Sequence, residues 1–395
     1  MEVMDTIKST DIMPLPFFYL KLSGAWKPSS WPSYLRLIYD SYTILMTFFI
    51  MKVIIVTEIL YVIFAEENQS KVLKDNVYII CTFINGWFKM FNLICRRKNI
   101  ANLVKGCIAK QWNPPRDNYE SSVLAATKQT SRKITLAHAS VVGSCVVSTL
   151  LNSVLSSPPF LPVDAWYPCN ITLPICFWTS FVHQSIGYTV TAIVHVANDN
   201  IVVGFMMQIC AQLNVLNRRL LLVHVEVEKA ARQQKDQSQI TSLETTLVND
   251  CIVNYRDILK QVFAEQLSET FIETIFIQFC AGLSVICTSV YVLTTLNIFS
   301  FEFFGMFLYL WCMLGQMFLY CWFGNEVVLN SSKLFHSIYN MDWIKLQSQT
   351  QTKLLFMMLV ASSPIQLFRG AIIRVNLDAF INILKFSYSA FNILH

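Results

Sequence analysis

Four sets of residues in this chain share a spacing of three or four: Tyr78, Cys81 and Thr82; Val142, Cys145 and Thr149; Phe181, Ser185 and Tyr188; Met306, Tyr309 and Cys312. On a helix that spacing puts each set on one face. The faces are aromatic, aliphatic and thiol with a few hydroxyls, which suits a wall around a small apolar ligand better than a reacting centre. Plain interhelical packing uses the same spacing, so periodicity alone leaves both readings open. HExxH, GxSxG, P-loop and GxGxxG patterns do not occur, and the six histidines form no ligand-spaced pair. The twelve cysteines include no CxxC, so no zinc site or disulfide framework is signalled. The expectation is no enzyme, no metal and no cofactor.

Composition says what must position such faces. The 395 residues are 54% hydrophobic and only 14% charged, with a mean hydropathy of +0.46. A soluble domain carries about a quarter charged residues, so this much apolar surface needs lipid. Near-continuous apolar runs such as 44–64 and 282–296 exclude the alternation of a membrane β-barrel. The fold class is therefore all-α: a polytopic membrane protein with seven transmembrane helices at about 38–64, 74–94, 134–156, 174–210, 271–296, 303–325 and 371–394. The apolar stretch 353–368 is short and interrupted by Ser362, Ser363 and Pro364, so it reads as a protein-packed helix. The first thirty residues lack an apolar core and hold Pro14, Pro16 and Pro28, so no cleavable signal is expected.

Lysine and arginine set the orientation. They crowd the N-terminal segment and the regions 96–133, 218–260 and 333–353, whereas only Lys71 and Lys74 lie on the opposite side. The N-terminus is thus expected inside and the C-terminus outside. The sequons at Asn68 and Asn170 fall in outer loops as glycosylation candidates, and that at Asn330 falls inside and should stay bare. Cys169 and Cys176 flank an outer loop where a bridge is feasible. Between Gln212 and Thr270 there is no Pro or Gly, and apolar residues recur at Ile240, Leu243, Leu247, Cys251, Tyr255 and Ile258. Helical extensions into the cytoplasm, turning at 231–238, would build an inner anchor domain. The organisation expected is 1–210, the N-terminal segment with helices 1–4 as a ligand-binding bundle; 211–270, anchor extensions; 271–325, helices 5 and 6; 326–370, anchor helices; 371–395, the last helix.

Lys52, Glu58 and Lys89 fall inside spans and must each find a partner or reach the interface. The last span is more polar still, with Asn376, Asp378, Asn382, Lys385, Ser387, Ser389 and Asn392 among apolar residues. Such a helix needs water or protein on at least one side, which a pore lining and a buried bundle position both supply.

Four stretches resemble the insect odorant receptors: Leu161–Pro168 with the following Phe181-Val182-His183-Gln184; Gln316 with Cys321-Trp322-Phe323-Gly324-Asn325-Glu326; Ser331-Ser332, Tyr339 and Trp343; and Lys385-Phe386-Ser387-Tyr388-Ser389-Ala390-Phe391. The resemblance implies a ligand-gated, non-selective cation channel of four subunits in the plasma membrane of olfactory sensory neurons. It implies heteromeric assembly with the odorant receptor co-receptor through the anchor domain and pore helices, and a volatile odorant held between the second, third, fourth and sixth spans. The co-receptor has a long insertion in the fourth inner region, which this chain lacks, so it resembles a ligand-tuned subunit. By position, the hydrophobic gate falls on Ile393 beside Asn392, with Ser389 and Lys385 further along the same helix. A G-protein-coupled chemoreceptor or a transporter is the rival reading; the first puts the basic regions outside, and the second usually shows an internal repeat.

Overall fold

The computed structural model describes residues 13–28, 31–64, 69–108, 115–233, 236–258, 264–368 and 375–394. Among them there is no strand. Lipid offers nothing to an open backbone polar group, so apolar segments satisfy their own amides as helices. In chain order they are α1 (Pro14–Leu22), α2 (Ser33–Ile44) running through a π-helical stretch (Leu45–Lys52) into α3 (Val53–Phe64), α4 (Gln69–Cys95), α5 (Arg97–Ile108), α6 (Asn118–Leu155), α7 (Pro174–Arg232), α8 (Gln237–Arg256), α9 (Ala264–Thr295), α10 (Phe301–Asn340), α11 (Ser348–Ala361) and α12 (Leu377–Leu394).

Six membrane-capable helices are present among the described residues: Ser33–Phe64, Asn76–Cys95, α6, α7, α9 and α10. Each matches an expected span, and all but Asn76–Cys95 run longer, because the polar ends also pack on protein. The last expected span, α12, is 18 residues long, with Asp378 and Lys385 within it. Two helices were not expected. The prolines at 14 and 16 begin α1, where a missing N–H costs nothing, and α1 buries Phe17 and Leu20. The basic run after Arg96 is α5, not a loop, and buries Ile100, Leu103 and Val104.

The bundle is built around α7. This helix is 59 residues long, begins at Pro174 and contains no further proline, so nothing interrupts its hydrogen-bond ladder. Its most apolar window is 89% buried, against 28–44% for the other five candidates. Helices α10, α6, α1, α8 and α4 all pack on it. We call the end of the bundle carrying the 156–173 loop the loop end, and the other the base. At the loop end a Cys169–Cys176 disulfide ties the loop to the first turn of α7.

At the base, Asp117 caps α6 by accepting from the Glu120 amide at 2.8 Å. Glu120 itself receives both arms of Arg219, at 2.8 and 2.6 Å, and the pair is buried. Removing one partner would leave the other charge buried and uncompensated. The turn expected at 231–238 separates α7 from α8, and α8 buries Val248, Cys251 and Tyr255. Burial pushes the Cys251 thiol up to about 12. Helix α11 packs through Leu354, Met357 and Ala361, but Phe356, Leu359 and Val360 are exposed on its other side.

Helix α12 rests against α9 and α10 through Ala379, Ile383 and Ser387. Gly324 permits that approach, because a Cβ there would run into the main-chain carbonyl of Val375. The opposite face of α12 exposes Asp378, Asn382, Lys385, Ser389 and Asn392. These follow one another at intervals of four, three, four and three, so they form one polar stripe down the helix.

Candidate functional site

Two neighbouring cavities lie toward the loop end, between α4, α6, α7, α9 and α10. The smaller, about 50 Å³, is walled by Thr82 and Phe83 of α4, Val142, Cys145 and Val146 of α6, Tyr188 of α7, and Tyr309, Cys312 and Met313 of α10. The larger, about 370 Å³, lies beside Tyr78, Thr149, Met306, Val292 and Leu296 and beneath the Phe160–Asp164 stretch of the loop. Tyr188 and Tyr309 belong to both. A volume of roughly 300 Å³ or more is what ligand pockets usually need, so the larger cavity is ligand-sized and the smaller is not.

The residues singled out by spacing divide as follows. Tyr78, Thr149 and Met306 line the larger cavity, Thr82, Val142, Cys145 and Cys312 the smaller, and Tyr188 and Tyr309 both. Cys81 packs on the same apolar cluster without lining either cavity. Phe181 and Ser185 lie further toward the loop end of α7, outside the lining. Phe181 stacks on Phe177 at 6.3 Å and meets Trp178 edge-on at 5.6 Å. The loop residues 160–164 were noted only as a motif; that they roof the larger cavity depends on how the loop folds back.

The wall is held by a few polar contacts. Thr82 donates to the Tyr78 carbonyl at 2.8 Å, and its oxygen lies 2.5 Å from the Tyr309 hydroxyl. The Tyr309 hydroxyl also reaches the Tyr78 carbonyl at 3.3 Å. The Tyr78 and Tyr309 rings meet edge-to-face at 5.4 Å, as do Phe83 and Tyr188 at 5.9 Å. Asp164 and Glu302 lie on the margin of the larger cavity.

Under the smaller cavity is a buried polar floor. His195 and Gln316 form its upper layer. Below, the Lys89 ammonium lies 2.6 Å from Asp199 and 3.0 Å from His195 Nδ1. His195 Nε2 is 3.2 Å from the Thr82 carbonyl, so the neutral ring that accepts from Lys89 donates to Thr82. Tyr320 donates to Asp199 at 2.8 Å. Gln316 continues into Gln278 at 3.2 Å and on to Asn85 at 2.7 Å. Lys89 stood out in the sequence as a costly charge within a span, and Asp199 did not stand out. Lys52 lies 5.7 Å from the Phe48 ring centroid, and Glu58 is buried with neither oxygen hydrogen-bonded.

The four residues named for a pore sit together on α12. Lys385, Ser389 and Asn392 belong to its exposed stripe; the side chain of Ile393 is outside the described residues. Asn170 is exposed in the loop and accepts from the Thr172 amide and hydroxyl at 3.0 and 2.8 Å, while Asn68 is outside the described residues. No group of three or more His, Cys, Asp or Glu is placed to hold a metal ion among the described residues.

Six helices among the described residues, long and apolar enough to cross a membrane and packed around an open, partly apolar cavity, make this a multi-pass helical membrane bundle. The chain belongs to the insect odorant receptor family, whose 7tm Odorant receptor family pattern matches residues 69–388; this is a family of receptors, not enzymes. It is 22% identical to Odorant receptor Or1 of Anopheles gambiae over 99% of this chain and 96% of that one. It is 23% identical to Odorant receptor 46a, isoform B, of Drosophila melanogaster over 97% and 98%. In fold it is similar to the olfactory receptor OR5 of Machilis hrabei solved in complex with eugenol, with a TM-score of 0.81, 15% identity and 99% of both chains covered.

Proposed function

We propose that this odorant receptor is a ligand-tuned subunit of a heteromeric, ligand-gated, non-selective cation channel, assembled with the odorant receptor co-receptor. The observation that carries the channel reading is the stripe of Asp378, Asn382, Lys385, Ser389 and Asn392 exposed along α12. No helix facing only lipid keeps such a row, because each buried polar group without a partner costs several kcal/mol, about 2.5 to 3.5 for a charge at mid-membrane. Water in a shared pore satisfies it. Ile393 then forms the apolar constriction, which hydrated cations cannot pass without shedding water.

The ligand is a small volatile organic molecule held at the paired cavities, in the manner of a receptor such as OR5 that binds eugenol. Burying its apolar surface yields about 25 cal/mol per Å², which supports micromolar affinity. To open the pore it must bind the open arrangement more tightly than the closed one. The N-terminus and base are cytoplasmic and the loop end faces outward, at the plasma membrane of olfactory sensory neurons. The exposed face of α11 supports the anchor contact between subunits.

The test is to express the chain with and without the co-receptor and record currents to small aromatic and heterocyclic odorants, eugenol among them. Odorant-gated current with the co-receptor is expected, and Ile393→Ser should alter gating or permeation. Surface-expressed receptor that passes no current in any combination overturns the proposal. A seven-span chemoreceptor coupled to G proteins would instead show its N-terminus to antibody on intact cells.

A further inference from the structure

Resting on that reading, we propose that the Thr82–Tyr309 hydrogen bond is a latch that divides the ligand site in two and sets the longest ligand the receptor accepts. The two cavities share Tyr188 and Tyr309 as their common wall, so these two rings are what separates about 370 Å³ from about 50 Å³. A space of 50 Å³ holds only a few waters and gains use only by joining the larger one.

Both rings are tied at their tips, Tyr188 to Thr149 and Cys145 and Tyr309 to α4. The Tyr309 hydroxyl meets Thr82 at 2.5 Å and the Tyr78 carbonyl at 3.3 Å. Thr82 gives its own proton to the Tyr78 carbonyl at 2.8 Å, so it accepts the proton of Tyr309. Thr82 keeps that bond when Tyr309 leaves, and no buried donor is stranded on α4. The Tyr309 hydroxyl, swung away, needs an acceptor, which a ligand oxygen supplies. The neighbours on α10 are Met306, Cys312 and Met313, and unbranched thioethers re-pack with little strain.

Ligands that fit the larger cavity bind with the latch shut. Longer ones must open it and so carry a penalty of one hydrogen bond, roughly fivefold in apparent affinity. The discriminating feature is thus length along the axis from the 160–164 roof to the His195 floor, not overall polarity.

A homologous series of straight-chain methyl ketones, applied to cells expressing the chain with the co-receptor, tests this. In the unaltered receptor, half-maximal concentration should rise sharply beyond one chain length. Thr82→Val and Tyr309→Phe should each lower the ratio of half-maximal concentrations, longer members over shorter, roughly fivefold, while Thr82→Ser keeps the original cut-off. Should Tyr309→Phe fail to reach the surface, the Val and Ser variants at position 82, which differ by a hydroxyl, decide the matter. The same cut-off in both Thr82→Val and Thr82→Ser, in a receptor that answers the short ketones, overturns the latch alone. A surface-expressed receptor silent to every odorant overturns the channel reading beneath it.

Discussion

Lys89 of α4 and Asp199 of α7 meet at 2.6 Å with side chains 0% and 1% exposed, 110 positions apart in the chain. The pair closes the floor beneath the smaller cavity and joins two of the four helices that wall it. Removing either partner alone leaves a buried charge uncompensated, a loss of about 3–5 kcal/mol. Lys89→Met and Asp199→Asn are each expected to cut surface expression heavily. The double replacement Lys89→Met with Asp199→Leu should recover part of it, measured by surface biotinylation. Expression no worse in the single variants than in the double one would show that the pair is not coupled.

Gly305 lines the larger cavity, and a Cβ added there meets only the Ser148 hydroxyl, at 3.9 Å. Gly305→Leu should therefore fold well, aided by the gain of about 1 kcal/mol from removing a helical glycine, while its side chain occupies ligand space. Normal surface level with at least a tenfold rise in half-maximal odorant concentration is expected from concentration–response recordings. An unchanged response would place the ligand elsewhere.

Gly324 is the opposite case, since a Cβ there collides with backbone, which cannot rotate away. Gly324→Ala should separate α10 from the approach to α12 and abolish current while leaving the cavities intact. Odorant binding retained in an intrinsic-fluorescence titration of purified protein, with no current, is the expected pattern; full current would refute the close approach.

Asn170 stands exposed beside the disulfide at the loop end, whereas Asn330 is 4% exposed between helices. If the loop end faces outward, Asn170→Gln should abolish a glycosidase-sensitive mobility shift and Asn330→Gln should not. A shift that depends on Asn330 inverts the topology.

Cys251 at the base has its thiol pushed up to about 12 by burial. It stays protonated near neutrality and should resist maleimide in the folded receptor, reacting once detergent or urea unfolds α8. Because the folded value lies above the unfolded one, its contribution to stability is complete below about 9 and is lost as pH rises toward 12. Rapid labelling of Cys251 in native membranes would contradict its burial.

Six of the seven expected spans were legible as membrane-capable helices, because lipid demands long apolar runs that few other constraints imitate. What the sequence left open was pairing. Thr82 and Tyr309 both stood out by spacing, yet nothing in a period of three or four says that two hydroxyls 227 positions apart will touch. Lys89 was conspicuous as a charge in lipid; Asp199, its partner, was hidden among the polar run Asn198-Asp199-Asn200. Phe181 and Ser185 share a face with Tyr188 but lie nearer the start of α7 and line neither cavity. Helix α1 went unread because nine residues headed by two prolines are too few to display a period.

The unbroken course of α7 has a mechanical consequence. From Tyr188 at the cavity to Arg219 at the base is roughly 45 Å at 1.5 Å per residue, with no proline on the way to absorb a bend. A rod of that length turns a tilt of a few degrees at one end into a displacement of several ångströms at the other. If the loop end holds the ligand, as proposed, such a tilt would be felt first where Arg219 clasps Glu120.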